Sequence, residues 1–165
     1  SDAAVLVKYA SFASSILEFG SGGSSQLIAA VRPPDSKFWS VETEPYWVQT
    51  TKDNIAKFGG IGPEFLTWEE WEGFAGEFDM IFVDGLDMHR RAFGMRAWPM
   101  LKVGGAMILH DCLRLPDYDN AMAIARHFFE EVESIQVNEA DSNMIVIRKK
   151  EKRGYKNWQL PGGDD

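Results

Sequence analysis

Acidic side chains stand at the ends of four apolar segments of this sequence. Segments of this kind, when they form parallel strands, bring their carboxyl ends to one edge of a sheet, where open α/β sheets bind ligands. Carboxylates at such an edge can accept hydrogen bonds from a ligand, hold a cation or accept a proton. The positions are Glu18 in "SILEF", Glu42 after "KFWSV", Asp84 after "FDMIFV", and Asp111, next to His110, after "GGAMIL".

The first of these segments continues into a turn rich in glycine and serine. In "EFGSGGSS", Gly20 and Gly22 allow a tight turn and let a ligand approach without meeting a Cβ atom. A dinucleotide loop of the GxGxxG type would hold a pyrophosphate here. Its third glycine position is Ser25, however, and the fixed anion of Glu18 would repel a pyrophosphate. A phosphate-free ligand that is cationic near the loop fits better, and S-adenosylmethionine, with its ammonium and sulfonium groups, is such a ligand.

The segment "LEFGSGG" resembles the first motif of Rossmann-like S-adenosylmethionine-dependent methyltransferases, acid–x–Gly–x–Gly–x–Gly, with Ser24 in place of the last glycine. The resemblance implies that Glu18 helps to hold the loop and the methionine amino group. It also implies that Gly20, Ser21 and Gly22 form the loop that contacts the cofactor. The alternative to this cofactor role is that Glu18 only caps local backbone amides.

Further positions complete the cofactor site that the resemblance implies. Glu42, in "VETEPYW", stands where such folds place a carboxylate for the two ribose hydroxyls, and Glu44 is the competing candidate. Trp68 follows the predicted third strand and could stack on adenine, although "WEEW" is also typical of a helix start whose tryptophans pack on the core. Asp84 would lie at the mouth of the site, close to the transferring methyl group.

The ends of the fourth and fifth strands resemble the Asp…Asp–Asn pattern of catechol-type O-methyltransferases, which bind a divalent cation with those groups. Asp84 and Asp111 match the aspartates, while Cys112 replaces the asparagine with a thiol that magnesium disfavours. The resemblance therefore implies a metal at Asp84 and Asp111. Without a metal, either carboxylate could position an acceptor hydroxyl and accept its proton. His89 and His110 are alternative bases, because histidine can titrate near neutral pH.

A basic cluster stands beside these strand ends in an otherwise acidic chain. It could recognise an anionic acceptor such as a carboxylate, a phosphate or an acidic sugar. Alternatively, its arginines pair with local acids such as Asp87 and Asp117. The cluster consists of His89, Arg90, Arg91 and Arg114.

Strand-like and helix-like segments alternate five times, and the strands are short and apolar on both faces. This pattern predicts one doubly wound α/β domain over residues 1–149, with a mostly parallel sheet covered by helices on both faces. The runs "ESIQVN" and "NMIVIRKK" predict a closing antiparallel hairpin at the edge. We interpret "DYDNAM" as a helix cap and "DSN" as a turn. Residues 150–165 show no period and predict an irregular tail.

Composition limits the partners and the compartment. The formal net charge of −8 disfavours general binding to nucleic acid or anionic membranes, and no apolar run is long enough to span a bilayer. The single cysteine, Cys112, fits a reducing compartment and hence the cytoplasm. Few helices remain to close an acceptor pocket, so we expect a large acceptor, a second subunit of a homo-oligomer or a longer parent protein.

Together these features predict an S-adenosylmethionine-dependent methyltransferase that acts on a small-molecule or sugar acceptor. Likeness to the catechol-type pattern favours oxygen as the methylated atom. The alternatives are an NAD-dependent oxidoreductase on a related fold and a non-catalytic module that binds S-adenosylmethionine.

Overall fold

The computed structural model describes residues 1–85 and 87–152, and the predicted tail lies outside the described residues from 153 onward. Strands and helices alternate along this part of the chain, as the sequence predicts. The strands are β1 (Ser15–Phe19), β2 (Lys37–Val41), β3 (Glu64–Leu66), β4 (Phe78–Val83), β5 (Leu101–His110), β6 (Val132–Val137) and β7 (Met144–Lys149). The helices are α1 (Asp2–Ala10), α2 (Gly23–Val31), α3 (Pro45–Lys57), α4 (Trp68–Glu72), α5 (Arg90–Ala97) and α6 (Leu115–His127).

The strands form one sheet in the order β3-β2-β1-β4-β5-β7-β6. β1 to β5 pair in parallel, whereas β7 is antiparallel to both β5 and β6. The predicted mostly parallel sheet and its antiparallel hairpin are therefore confirmed, with β7 inserted inside the sheet and β6 at the edge. The chain winds outward in opposite directions from β1 and β4, so the crevice between their carboxyl ends is the topological switch point.

The sheet is buried on both faces because successive strand residues point to opposite sides. In β4, Met80 and Phe82 pack in a cluster with buried residues of α1 and α2. Ile81 and Val83 pack in a second cluster with buried residues of α4, α5 and α6. Helices thus cover both faces, which confirms the predicted doubly wound architecture.

The boundaries differ from the sequence-based expectation mainly around the fifth strand. The segment "MHRRAFGMRAWPMLK" predicts one helix over 88–102, bent near Pro99. In the structure α5 ends at Ala97, and a 3₁₀ turn over Trp98–Met100 follows it. β5 consequently begins at Leu101 and runs through Gly104, whose φ is 83°. Within the described residues, no helix has the length and apolar character needed to cross a membrane.

Candidate active site

A cavity of about 570 Å³ opens at the carboxyl ends of β1, β2 and β4. It lies beside the switch point, where ligands of doubly wound sheets bind. Residues from the glycine-rich turn, from the segment after β2 and from the segment after β4 line it. They are Gly20, Ser21, Val41, Glu42, Thr43, Glu44, Trp47, Asp84, Gly85, Met88, His89 and Phe93.

The floor of the cavity is a close approach of two backbones. Gly20 has a φ of 86°, and a Cβ atom built on it would lie 2.7 Å from Cα of Gly85. The turn after β1 can therefore pass against the end of β4 only with glycine at this position. Gly22, by contrast, has open space where a Cβ atom would stand.

Glu42 and Ser21 join the glycine-rich turn to the end of β2. One oxygen of the Glu42 carboxylate accepts hydrogen bonds from the amide and the hydroxyl of Ser21, and the other accepts one from the amide of Glu44. Both Glu42 and Glu44 line the cavity. The acid predicted to hold a ribose is therefore positioned at a ligand-sized space.

Glu18 lies beneath this turn and is completely buried. Its carboxylate accepts hydrogen bonds from the hydroxyls of Ser24 and Ser25 at 2.6 Å each, and from Ser40 on β2 at 2.9 Å. Burial raises the pKa of Glu18 to about 7, although the three hydroxyls counteract it. Glu18 thus holds the turn through side-chain hydroxyls rather than backbone amides. Its predicted contact with a methionine amino group stays a prediction, since Glu18 is not among the described residues that line the cavity.

Trp68 is the first residue of α4 and is partly buried. Its indole nitrogen donates to Glu72, and its ring lies 5.4 Å from that of Phe93 and 6.3 Å from that of His89. Phe93 and His89 line the cavity. Trp68 is not among the described residues that line it, and its ring packs against theirs. Direct stacking of Trp68 on adenine stays a prediction, and the packing role considered for "WEEW" is observed.

The two candidate base histidines lie in different surroundings. His89 is exposed at the end of a 3₁₀ turn and contacts aromatic rings. His110, at the end of β5, lies between carboxylates: Nδ1 is 3.1 Å from Asp84 and 3.3 Å from Asp111, and Nε2 is 3.1 Å from Asp2. Only His110 therefore stands beside the two aspartates predicted to act in the reaction.

These carboxylates bear on the role predicted for His110. The hydrogen bond with Asp84, together with its charge and the other carboxylates, raises the pKa of His110 to about 9 against the effect of burial. An imidazole with this pKa is protonated at neutral pH and donates hydrogen bonds instead of accepting a proton. This pKa favours a role for His110 in orienting the carboxylates, and its predicted role as a general base stays a prediction.

Arg90, the first residue of α5, lies at the centre of the acidic cluster. Its side chain is only 7% exposed and meets three carboxylates: Nη1 is 2.8 Å from Asp111 and 3.0 Å from Asp117, and Nη2 is 3.2 Å from Asp84. Asp111 reaches it from a left-handed backbone conformation with a φ of 63°. Although burial acts to raise it, the pKa of Asp111 is lowered by the hydrogen bond from Arg90 and the neighbouring cations.

Two arginines of the basic cluster, Arg90 and Arg114, are engaged by acids. Arg90 and Arg114 both bind Asp117, and Arg114 also lies 3.1 Å from Asp111. Arg91 donates to Asn120. Pairing of the arginines with Asp117 is the alternative that the sequence offers to recognition of an anionic acceptor. The side chain of Asp87, the other acid considered as a partner, lies outside the described residues.

Within the described residues, one group of side chains could hold a metal ion, since its ligand atoms lie within 4.8 Å of one another. It consists of Asp84, His110 and Asp111. The donor types suit a divalent cation, but their oxygens are already engaged. Oxygens of both aspartates already face the Arg90 guanidinium, and His110 adds a second positive charge. A divalent ion at Asp84 and Asp111 would therefore have to displace the Arg90 guanidinium from oxygens that already accept hydrogen bonds from it.

Three residues of this network were not identified as site residues from the sequence. Asp117 is predicted as part of a helix cap and as an alternative partner of the arginines; α6 begins at Leu115, and the Asp117 carboxylate is buried against Arg90. Asn143 was interpreted as part of a turn, yet its amide donates to Asp111. Asp2 carried no signal, because its contact with His110 joins positions 108 residues apart.

Comparison with family models and with curated proteins found no match. Solved structures are similar. The O-methyltransferase TomG from Streptomyces achromogenes, in complex with SAM, has a TM-score of 0.70 and 17% identity over 90% of this chain and 79% of its own. An O-methyltransferase from Bacillus cereus, in complex with SAH, has a TM-score of 0.66 and 16% identity, and the match covers 89% of this chain and 78% of that one. A putative rRNA-methylase from Clostridium thermocellum has a TM-score of 0.68 and 8% identity, and the match covers 93% of this chain and 98% of that one. The chain therefore has the fold of these methyltransferases.

Proposed function

We propose that this chain is an S-adenosylmethionine-dependent methyltransferase that methylates an oxygen atom of a small-molecule or sugar acceptor. The observation that carries the proposal is the cavity at the switch point, with the Gly20 turn on one side and Glu42 on the other. Similar structures from Streptomyces achromogenes and Bacillus cereus hold SAM and SAH, and both are O-methyltransferases. The proposed domain comprises residues 1–149, and β7 ends at Lys149.

In this proposal the residues divide between cofactor and reaction. Gly20, Ser21 and Gly22 approach the methionine part through the backbone, and Glu42 accepts the ribose hydroxyls. His89 belongs to the cofactor side rather than to the reaction, since its ring packs beside Phe93 at the cavity wall.

Asp84 is the proposed catalytic carboxylate, because it lines the cavity and is held by Arg90 and His110. The acceptor oxygen attacks the methyl carbon, the carbon–sulfur bond breaks, and its electron pair stays on sulfur. The hydroxyl proton passes to Asp84. Alignment of oxygen, methyl and sulfur supplies most of the rate, since the sulfonium is already activated.

Some sequence-based expectations lie outside this proposal. A divalent cation is not included, because oxygens of Asp84 and Asp111 already bind the Arg90 guanidinium. An anionic acceptor is not included either, because Arg90 and Arg114 are paired with aspartates. Location in the cytoplasm and assembly into a homo-oligomer stay predictions; the buried, free thiol of Cys112 agrees with a reducing compartment.

Calorimetric titration with S-adenosylmethionine, S-adenosylhomocysteine and NAD, each alone, tests the cofactor assignment. We expect the first two to bind and Glu42→Gln to weaken both about tenfold or more, as loss of a charged hydrogen-bond acceptor does. The matched control is Glu64→Gln, because Glu64 is exposed at the start of β3. Binding of NAD alone would overturn the proposal.

Transfer of a labelled methyl group to a panel of phenols, catechols and sugars tests the reaction. We expect Asp84→Asn to lower kcat while the cofactor still binds. Cofactor binding without transfer to any acceptor would identify a non-catalytic module instead.

A further inference from the structure

We propose that Arg90 is the resident cation of this site and that its guanidinium occupies the position between the strand-end carboxylates that the sequence left open for a divalent metal ion. The site then works without a metal. The role of Arg90 in catalysis rests on the proposed function. Whether Arg90 or a metal ion binds the carboxylates can be measured without turnover.

The geometry around Arg90 is that of a cation centre. Carboxylates come from three separate elements: Asp84 follows β4, Asp111 follows β5, and Asp117 lies in the first turn of α6. Their oxygens lie 2.8 to 3.2 Å from the guanidinium nitrogens. Arg90 thus links the ends of two parallel strands to a helix, as a shared metal ion would.

The position of Arg90 is fixed by the chain itself. Its Nε donates to the carbonyl of Gly85 at 2.9 Å, and Gly85 is the residue whose backbone meets Gly20. As the first residue of α5, Arg90 would be unfavourable beside the positive end of the helix dipole without the aspartates around it. The three carboxylates therefore stabilise the positive charge of Arg90 at this position, and Arg90 in turn holds the carboxylates in place.

The chemistry of the guanidinium differs from that of a metal ion in one respect that matters for Asp84. A divalent ion would polarise an acceptor oxygen directly by taking it as a ligand. Arg90 is buried, so it acts through Asp84 by holding the carboxylate in one orientation at the cavity. Arg90 is accordingly a positioning residue, and Asp84 remains the group that meets the acceptor.

Removal of Arg90 should turn the cluster into a metal site. In Arg90→Ala the oxygens of Asp84, Asp111 and Asp117 lose the buried guanidinium that they share, while Arg114 and His110 stay at the rim of the cluster. Carboxylate oxygens freed in this way are the ligands that Mg²⁺ and Mn²⁺ prefer. Arg91→Ala is the matched control, because this neighbouring arginine bonds to Asn120 and not to the three aspartates. Arg90→Lys is the second variant, since it keeps the charge but loses the planar fork.

The experiment measures Mg²⁺ and Mn²⁺ binding by calorimetry and the shift of Tm, together with the affinity for S-adenosylmethionine. We expect no saturable metal binding by the wild type, Arg91→Ala or Arg90→Lys. Arg90→Ala should bind Mn²⁺ and gain about 5–10 °C in Tm at a hundredfold excess over its Kd. EDTA should leave methyl transfer by the wild type unchanged.

Two results would overturn the proposal. One is stoichiometric Mg²⁺ or Mn²⁺ binding by the wild type that Asp84→Asn abolishes, an outcome that needs no folded Arg90 variant. The other is a folded Arg90→Ala protein with no more affinity for Mn²⁺ than Arg91→Ala. Failure of the wild type to bind S-adenosylmethionine would refute the proposed function alone, since the metal titrations still decide what occupies the carboxylates.

Discussion

The Glu42 carboxylate accepts hydrogen bonds from both the amide nitrogen and the hydroxyl of Ser21, at 2.8 and 2.9 Å. The two residues are 21 positions apart and belong to the ends of neighbouring parallel strands. A ligand that enters the cavity therefore meets an acid whose orientation is already set by the turn. Such preorganisation lowers the entropy cost of binding.

Replacement of Ser21 by alanine isolates half of this contact. The amide bond to Glu42 remains and the hydroxyl bond is lost, so we expect the Kd for S-adenosylmethionine to rise about fivefold, the effect of one hydrogen bond of about 1 kcal/mol. Calorimetry measures the change. Ser11→Ala, which removes a hydroxyl bonded to the Val7 carbonyl on α1, is the control. Equal affinities of the two variants would contradict the prediction.

Gly20 should tolerate no side chain. Alanine at this position combines a φ of 86° with a Cβ atom 2.7 Å from the Gly85 backbone, and we expect a loss of about 2–4 kcal/mol of unfolding free energy. Gly23→Ala is the control, because its Cβ atom would meet nothing within 4 Å at the start of α2. Urea denaturation compares the variants, and similar midpoints would show that the two backbones separate easily.

Glu18 should make stability depend on pH. Its pKa in the folded protein, about 7, is above the ordinary value of 4.5, so the folded state binds this proton more tightly than the unfolded state. The resulting stabilisation is complete below about pH 4.5 and is lost as the pH rises to about 7. Relative to Glu18→Gln, the wild type should lose roughly 3 kcal/mol over this range.

Unfolding free energies of the wild type, Glu18→Gln and the exposed control Glu64→Gln, measured from pH 4.5 to 8, test this expectation. The difference between the wild type and Glu18→Gln should change with pH, and the difference for Glu64→Gln should not follow it. A constant difference for Glu18→Gln would mean that the Ser24, Ser25 and Ser40 hydroxyls offset the whole effect of burial.

The parts of the molecule that the sequence predicts well are those written in local patterns. The apolar run of β4 and the polar break between β6 and β7 predict a parallel sheet with an antiparallel hairpin, because burial on both faces needs continuous apolar residues. The turn after Glu18 is equally local. Gly20 is needed for a close backbone approach, and the glycine-rich turn indicates such an approach without knowledge of the partner Gly85.

The charge network could not be predicted in the same way. Arg90 meets Asp117 across 27 positions, and His110 meets Asp2 across 108. Nothing in the local pattern distinguishes a buried Asp117 from a helix cap, since both occur in a first helical turn. The pKa of His110 is raised chiefly by Asp84 and further by Asp2 and Asp111. The sequence places Asp84 and Asp111 near His110 but gives no sign of the contact with Asp2.

His110 should be protonated at neutral pH, with its pKa raised to about 9 chiefly by Asp84. Because the folded pKa exceeds the unfolded value of 6.5, its contribution to stability is complete below pH 6.5 and is lost as the pH rises through 9. NMR titration of the imidazole in the wild type measures this pKa directly. Asp84→Asn should lower it by removing the largest cause, whereas Asp53→Asn, on the exposed side of α3, should not. A pKa near 6.5 in the wild type would restore His110 as a candidate base and leave Asp84 without its imidazolium partner.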